Sequence, residues 1–146
     1  MLITSEKIKY DVELYQSRTL ICTSSLTAIP IVIAYKRGLY FHAITSVGNF
    51  AFSVLYWYKP VHGWRRNLDL LYEKYAFCVY LISGVFFMPP GLCAFIFYVG
   101  TIALAHCYLS TMKYPKKWLQ YHILFHLISI ATKTHIITNF IMPIGA

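Results

Sequence analysis

The chain has 146 residues, enough for one domain, and is 58% hydrophobic, 18% aromatic and only 12% charged. That composition excludes an ordinary soluble domain. It points to an integral membrane protein, because apolar stretches of the length needed to cross a hydrocarbon core of about 30 Å recur along it. The formal net charge of +8 raises nucleic-acid binding as a possibility, but the placement of the basic residues argues against it.

Residues 1–18 have no apolar core ahead of a cleavage site, so they read as a cytoplasmic N-terminal segment and not as a signal peptide. Alternation in "IKYDVELY" permits a short strand or an interfacial helix. Five spans follow, at about Thr19–Tyr35, Gly38–Tyr58, Leu68–Met88, Gly91–Met112 and Trp118–Phe140, together a transmembrane domain over residues 19–142. "KRG", "KPVHGWRRN", "PPG" and "KYPKK" punctuate them, with Gly and Pro where turns are wanted. The fold class expected is all-α, a polytopic helix bundle. Continuous apolar runs, in place of the alternation of barrel strands, exclude a lone β-barrel.

With five spans, the N-terminus and the loops after the second and fourth share one side. That side carries Lys7, Lys9, Arg18, Lys59, Arg65, Arg66, Lys74, Lys113, Lys116 and Lys117, ten of the 13 basic residues. The opposite side has Lys36 and Arg37, and Lys133 lies inside the fifth span. This asymmetry places the N-terminus in the cytoplasm and the C-terminus across the membrane. Trp57, Trp64 and Trp118 fall near the cytoplasmic boundary, as an aromatic belt would. Cys22, Cys78, Cys93 and Cys107 lie inside spans with no CxxC spacing, so they read as small buried hydrophobes.

Polar side chains inside a bilayer are expensive and normally face the bundle interior. On the fifth span His122, His126, Ser129 and Lys133 follow one another at +4, +3 and +4, a stripe roughly 60° wide. On the second, His42, Ser46, Asn49 and Ser53 repeat that spacing. Each stripe has a plain alternative, since Ser, Asn and His hydrogen-bond across transmembrane helices. Lys133 can snorkel toward the far interface, and His62 and His135 lie off the stripes. Depth adds a second criterion. Ser53, Asp69 and Glu73, His106, and the pair His122 and His126 all belong to one layer within about two turns of the cytoplasmic boundary. Histidines at i and i+4 are neighbours on a helix and can bind one metal ion. Asp69 and Glu73 read equally well as wet interfacial acids beside Arg65, Arg66 and Lys74.

"FSVLYW" (Phe52–Trp57), "NLDLLYEKY" (Asn67–Tyr75) and "YHILFHLISIA" (Tyr121–Ala131) resemble motifs of the membrane hydrolase superfamily that joins alkaline ceramidases, adiponectin and progestin receptors, and haemolysin III proteins. The resemblance implies zinc as cofactor, His122 and His126 as ligands, Asp69 holding a zinc-bound water, and Ser53 supporting the site or the reaction intermediate. It implies a ceramidase-like zinc-dependent hydrolase, or a degenerate relative of one, acting on a lipid amide from the membrane plane through metal-activated water. The match covers about 26 residues of 146, and the chain has five spans where the family normally has seven. The family's Ser-x-x-x-His reads Ser53-Val-Leu-Tyr-Trp57 here, and tryptophan cannot ligate zinc. His106 is the expected replacement as third ligand. It lies six residues before Met112, about 9 Å inside the edge, and His122 and His126 lie about 6 Å and 12 Å inside.

The rival expectation is a non-enzymatic multi-pass membrane protein, for assembly or partner binding, whose polar seam only holds helices together. Haem is disfavoured, because His122 and His126 share a helix and cannot take opposite axial faces. A membrane lipid is the expected partner, nucleic acid is not, and an endomembrane is the expected location.

Overall fold

The computed structural model describes residues 14–60 and 63–141. Six helices run in chain order: α1 (Leu14–Ser25), α2 (Ala28–Lys36), α3 (Tyr40–Tyr58), α4 (Trp64–Phe87), α5 (Leu92–Lys113) and α6 (Trp118–Asn139). A single 3-10 turn, Pro115–Lys117, leads into α6. No strand occurs among the described residues, so the all-α expectation holds there.

α1 and α2 form one bent unit, Leu14–Lys36. The bend has a covalent cause. Pro30 has no N–H to give to the Leu26 carbonyl four residues back. That carbonyl instead accepts from the Ile29 amide at 3.0 Å, within a tightened turn that also pairs Leu26 N–H with Thr23 O at 3.2 Å. The helix therefore begins five residues before the expected Thr19, and Leu14–Arg18, assigned from sequence to the N-terminal segment, is helical. The rest of that segment lies outside the described residues. Both ends of the other four spans fall within four residues of expectation.

Three units are long and apolar enough to cross a membrane: Leu14–Lys36, Trp64–Phe87 and Leu92–Lys113, with hydropathies of 1.4, 1.4 and 1.9. α3 and α6, of 19 and 22 residues, are long enough, but no stretch of either reaches the hydropathy of those three; both carry the polar stripes. They are also the structural centre. α3 packs between α4 and the bent α1–α2 unit, α6 packs along α5, and the bent unit joins the two by touching both. α4 meets α5 and α6 only lightly, which leaves clefts beside α6.

Burial is inverted relative to a water-soluble bundle. On α3, Ser46 is 0% and Thr45 1% exposed, whereas Ile44 is 68% and Phe41 58% exposed. Polar side chains point inward and large apolar ones outward, the arrangement that suits a hydrocarbon surround. Where α4 and α5 touch, Gly84 leaves room for the Phe97 ring, into which a Cβ would run. After the Pro89–Pro90 break, Gly91 takes φ +89 to start α5, a conformation side chains rarely adopt.

Two apolar clusters close the ends. Ala34, Leu39, Ala43, Tyr80, Met88, Phe97, Ile136 and Ile137 form one. Leu20, Tyr56, Trp57 and Trp118 form the other, at the basic end. Arg37, between α2 and α3, donates to the carbonyls of Ile137 and Thr138, and to that of Phe140 at 3.4 Å. A cation on the last carbonyls of a helix satisfies acceptors that the helix itself leaves open and complements its dipole.

Candidate functional site

The centre of the bundle holds a line of hydroxyls ending on a histidine. α6 presents His122 and His126 one turn apart, ring centroids 4.8 Å from each other. At the end of α1, Thr23 Oγ1 lies 3.1 Å from the Leu20 carbonyl oxygen. It also lies 3.0 Å from Nδ1 of His126, a contact that either atom can donate, depending on the imidazole tautomer. Ser24 Oγ lies 3.4 Å from the same Nδ1 and 3.1 Å from Ser53 Oγ of α3. Three helices are thus tied through one polar line, Ser53–Ser24–His126.

A small cavity sits beside this line, lined by Ser24, Asn49, Ser53, Glu73, His126 and Lys133 among others. Its space for water centres is about 20 Å³, room for one or two waters. The Asn49 carboxamide oxygen is buried with no hydrogen-bond partner among the described residues.

His122 has a different environment. The Trp57 indole meets it in an edge-on arrangement with centroids 5.1 Å apart. Trp118 lies 6.3 Å from the same imidazole, and Trp57 and Trp118 are themselves stacked at 6.2 Å. Trp57 is held further by Ser17, whose hydroxyl donates to its carbonyl. The position at which the resemblance expects a third histidine is therefore filled by an indole packed against one of the two others.

Asp69 and Glu73 stand one turn apart in the first half of α4, both partly buried. Asp69 is within electrostatic reach of Tyr56 and of Glu73, and Glu73 of His122. Ser53, Glu73, His126 and, one layer on, His122 and Asp69 are thus brought to one region. His106 is not. It lies on the exposed side of α5, with Nε2 3.4 Å from Ser110 Oγ of its own helix. The other histidines serve packing. His42 Nε2 is 2.8 Å from Ser83 Oγ, and His135 Nε2–H donates to the Cys93 carbonyl at 2.9 Å. His62 lies outside the described residues. All four cysteines are free, with Cys22 and Cys78 on the exposed side and not buried as expected.

The donor set can be tested against the implied zinc. A catalytic zinc takes three protein ligands and keeps one open position. His122 and His126 supply two. Among the described residues, no three His, Cys, Asp or Glu side chains gather closely enough to hold one ion. The described residues do not complete a three-ligand site in this arrangement.

Thr23 and Ser24 were invisible to the spacing argument, which looked for polar stripes within one helix. The only signal is the hydroxyl run "CTSS", Cys22–Ser25, at the end of the first helix. Comparison with models of known protein families, with curated proteins and with solved structures finds no match.

Proposed function

We propose that the chain is a five-span membrane protein with its N-terminus in the cytoplasm, a shortened and divergent relative of the ceramidase-type hydrolase superfamily. In this reading it acts as a non-enzymatic multi-pass protein, for assembly or partner binding, and not as a lipid amidase. The inward-polar, outward-apolar burial of α3 and the ten-to-two distribution of basic residues support the membrane placement. The observation that carries the loss of chemistry is Trp57. Its indole stands against His122 where a third imidazole would be needed. The remaining polar groups then serve as interhelical ties: His126 to α1, Ser24 to Ser53, His42 to Ser83 and Tyr80 to Ser46.

One observation favours the second reading, a zinc-dependent hydrolase of a lipid amide. The Thr23 hydroxyl meets His126 at Nδ1, 3.0 Å away, and metal-binding histidines commonly carry such a hydrogen bond on one ring nitrogen with the other turned to the ion. In that reading His122 and His126 would hold zinc, with a third ligand from Asp69, Glu73 or a reoriented His106. The metal would supply Lewis acidity and an activated water. Ser53 would orient the substrate carbonyl.

Reconstituted protein incubated with a fluorescent ceramide separates the two. The first reading expects no release of fatty acid above protein-free vesicles, from wild type or from any variant. Hydrolysis by the wild type that disappears in Asp69→Asn and His126→Ala, with normal expression of both, would establish the second.

A further inference from the structure

Among the described residues Lys133 is the only Lys or Arg in the buried core, just 6% exposed. Its ammonium lies 5.6 Å above the centre of the Tyr80 ring. Among the described residues it donates no hydrogen bond and meets no carboxylate at ion-pair distance. An ammonium taken out of water needs compensation, and an aromatic face gives only part of it. A snorkelling lysine would reach the interface, but this one points into the bundle.

Two further polar residues lie around it. The Asn49 oxygen is buried without a hydrogen-bond partner among the described residues, and the residue is 9% exposed. Ser129 is 7% exposed. Lys133, Asn49 and Ser129 line the same cavity of about 20 Å³. A second cavity of about 30 Å³ shares Glu73, Phe125, Ser129 and Lys133 with it and continues between α4, α5 and α6 past Phe97 and Leu104.

The other ionisable groups facing this space are Glu73, His126 and Tyr80. Glu73, about two turns before Tyr80 on α4, is the acidic residue lining both cavities, and it makes no ion pair with Lys133 at contact distance. The donors available in the first cavity are the Lys133 ammonium, the Ser129 hydroxyl and the Asn49 carboxamide NH₂.

We propose that Lys133, with Asn49 and Ser129, binds a small monovalent anion, a halide or a carboxylate, in the core of the bundle. Size and sign both select it. The space takes about one or two water-sized bodies, and a single negative charge neutralises the buried ammonium. Such an anion has two sources, free solute from the aqueous phase or the carboxylate head of a bilayer amphiphile whose tail follows the apolar second cavity. The inference stands on the packing of α3, α4 and α6, and does not depend on whether the histidine pair ever held a metal.

The test uses the full chain in a neutral detergent. A gluconate buffer is the baseline, because that anion is too large for the cavity. Thermal unfolding is followed as chloride or acetate replaces gluconate at constant ionic strength, and separately with decanoate against decanol. A saturable rise of several degrees with chloride or acetate supports the site and assigns the free solute. A rise with decanoate alone, absent with decanol, supports it and assigns the lipid head. Lys133→Met keeps the volume and removes the charge, and it should abolish the rise. Asn49→Asp introduces a repelling charge into the same cavity and should do so as well, which keeps the test open if either variant fails to fold. The proposal is overturned if no anion raises the midpoint, if decanol matches decanoate, or if the rise survives these substitutions.

Discussion

The tie between α1 and α6 can be measured by a double-mutant cycle on Thr23 and His126. Thr23→Val removes the hydroxyl at nearly constant volume, and His126→Ala removes the ring. Each single variant also changes packing, but the cycle cancels those terms and isolates the pair. The Thr23–His126 bond is 3.0 Å, an ordinary length, and the Ser24–His126 contact is 3.4 Å, at the edge of what counts as a bond. Transmembrane hydrogen bonds measured this way average about 0.6 kcal/mol and reach about 1.7 kcal/mol at most. The expected coupling is therefore about 0.6–1 kcal/mol for Thr23 with His126, and about 0.3 kcal/mol or less for Ser24 with His126. Reversible unfolding in mixed micelles, titrated with an anionic detergent, gives the four stabilities. The series should be run with and without a strong chelator. A Thr23–His126 coupling below about 0.2 kcal/mol would show that the hydroxyl does not hold the ring, and the account of His126 would fail with it.

Gly84→Ala should destabilise by about 1–3 kcal/mol in the same micelle assay, because the added methyl meets the Phe97 ring at the α4–α5 crossing. A neutral Gly84→Ala would mean that the Phe97 ring does not sit on Gly84. Arg37→Ala frees the carbonyls of Ile137 and Thr138, so amide exchange in the last turn of α6 should accelerate about tenfold, the equivalent of about 1.4 kcal/mol. Unchanged exchange there would remove Arg37 as a cap. For topology, single cysteines placed at residues 63–67 and 113–117 in a cysteine-free background should resist an impermeant thiol reagent in intact cells and react after permeabilisation. Labelling of those positions from outside would reverse the orientation.

Much of the bundle was readable because hydrophobic runs and punctuation act locally. "PPG" and "KYPKK" end and start helices by backbone chemistry alone, and α4, α5 and α6 follow them closely. The bend in the first span was equally local, written by Pro30, yet it stays hidden in a hydropathy profile that averages across it. The stripes on α3 and α6 were legible for the same reason: residues on one face of one helix are fixed by spacing. What spacing cannot supply is the rotation of one helix against another. His106 illustrates this. Its depth matched that of His122 and His126, but depth is one coordinate of two, and α5 has no polar stripe to fix its azimuth. The structure turns His106 outward beside Ser110. Thr23 and Ser24 were missed for a chemical reason. Hydroxyls in helices commonly bond back to their own carbonyls, as Thr19 does to Tyr15 at 2.8 Å and Ser25 to Ile21 at 2.9 Å. A run of Ser and Thr therefore gives no sign of which members reach across to another helix.

The central claim is that the histidine pair survives as a structural tie after loss of the third ligand to Trp57. Metal content measured by mass spectrometry decides it most directly, on tag-free protein purified without chelator and supplied with zinc during expression. The account predicts zinc far below one equivalent per chain, with no change on His126→Ala. About one equivalent per chain, lost on His126→Ala, would contradict it and return the site to hydrolytic chemistry.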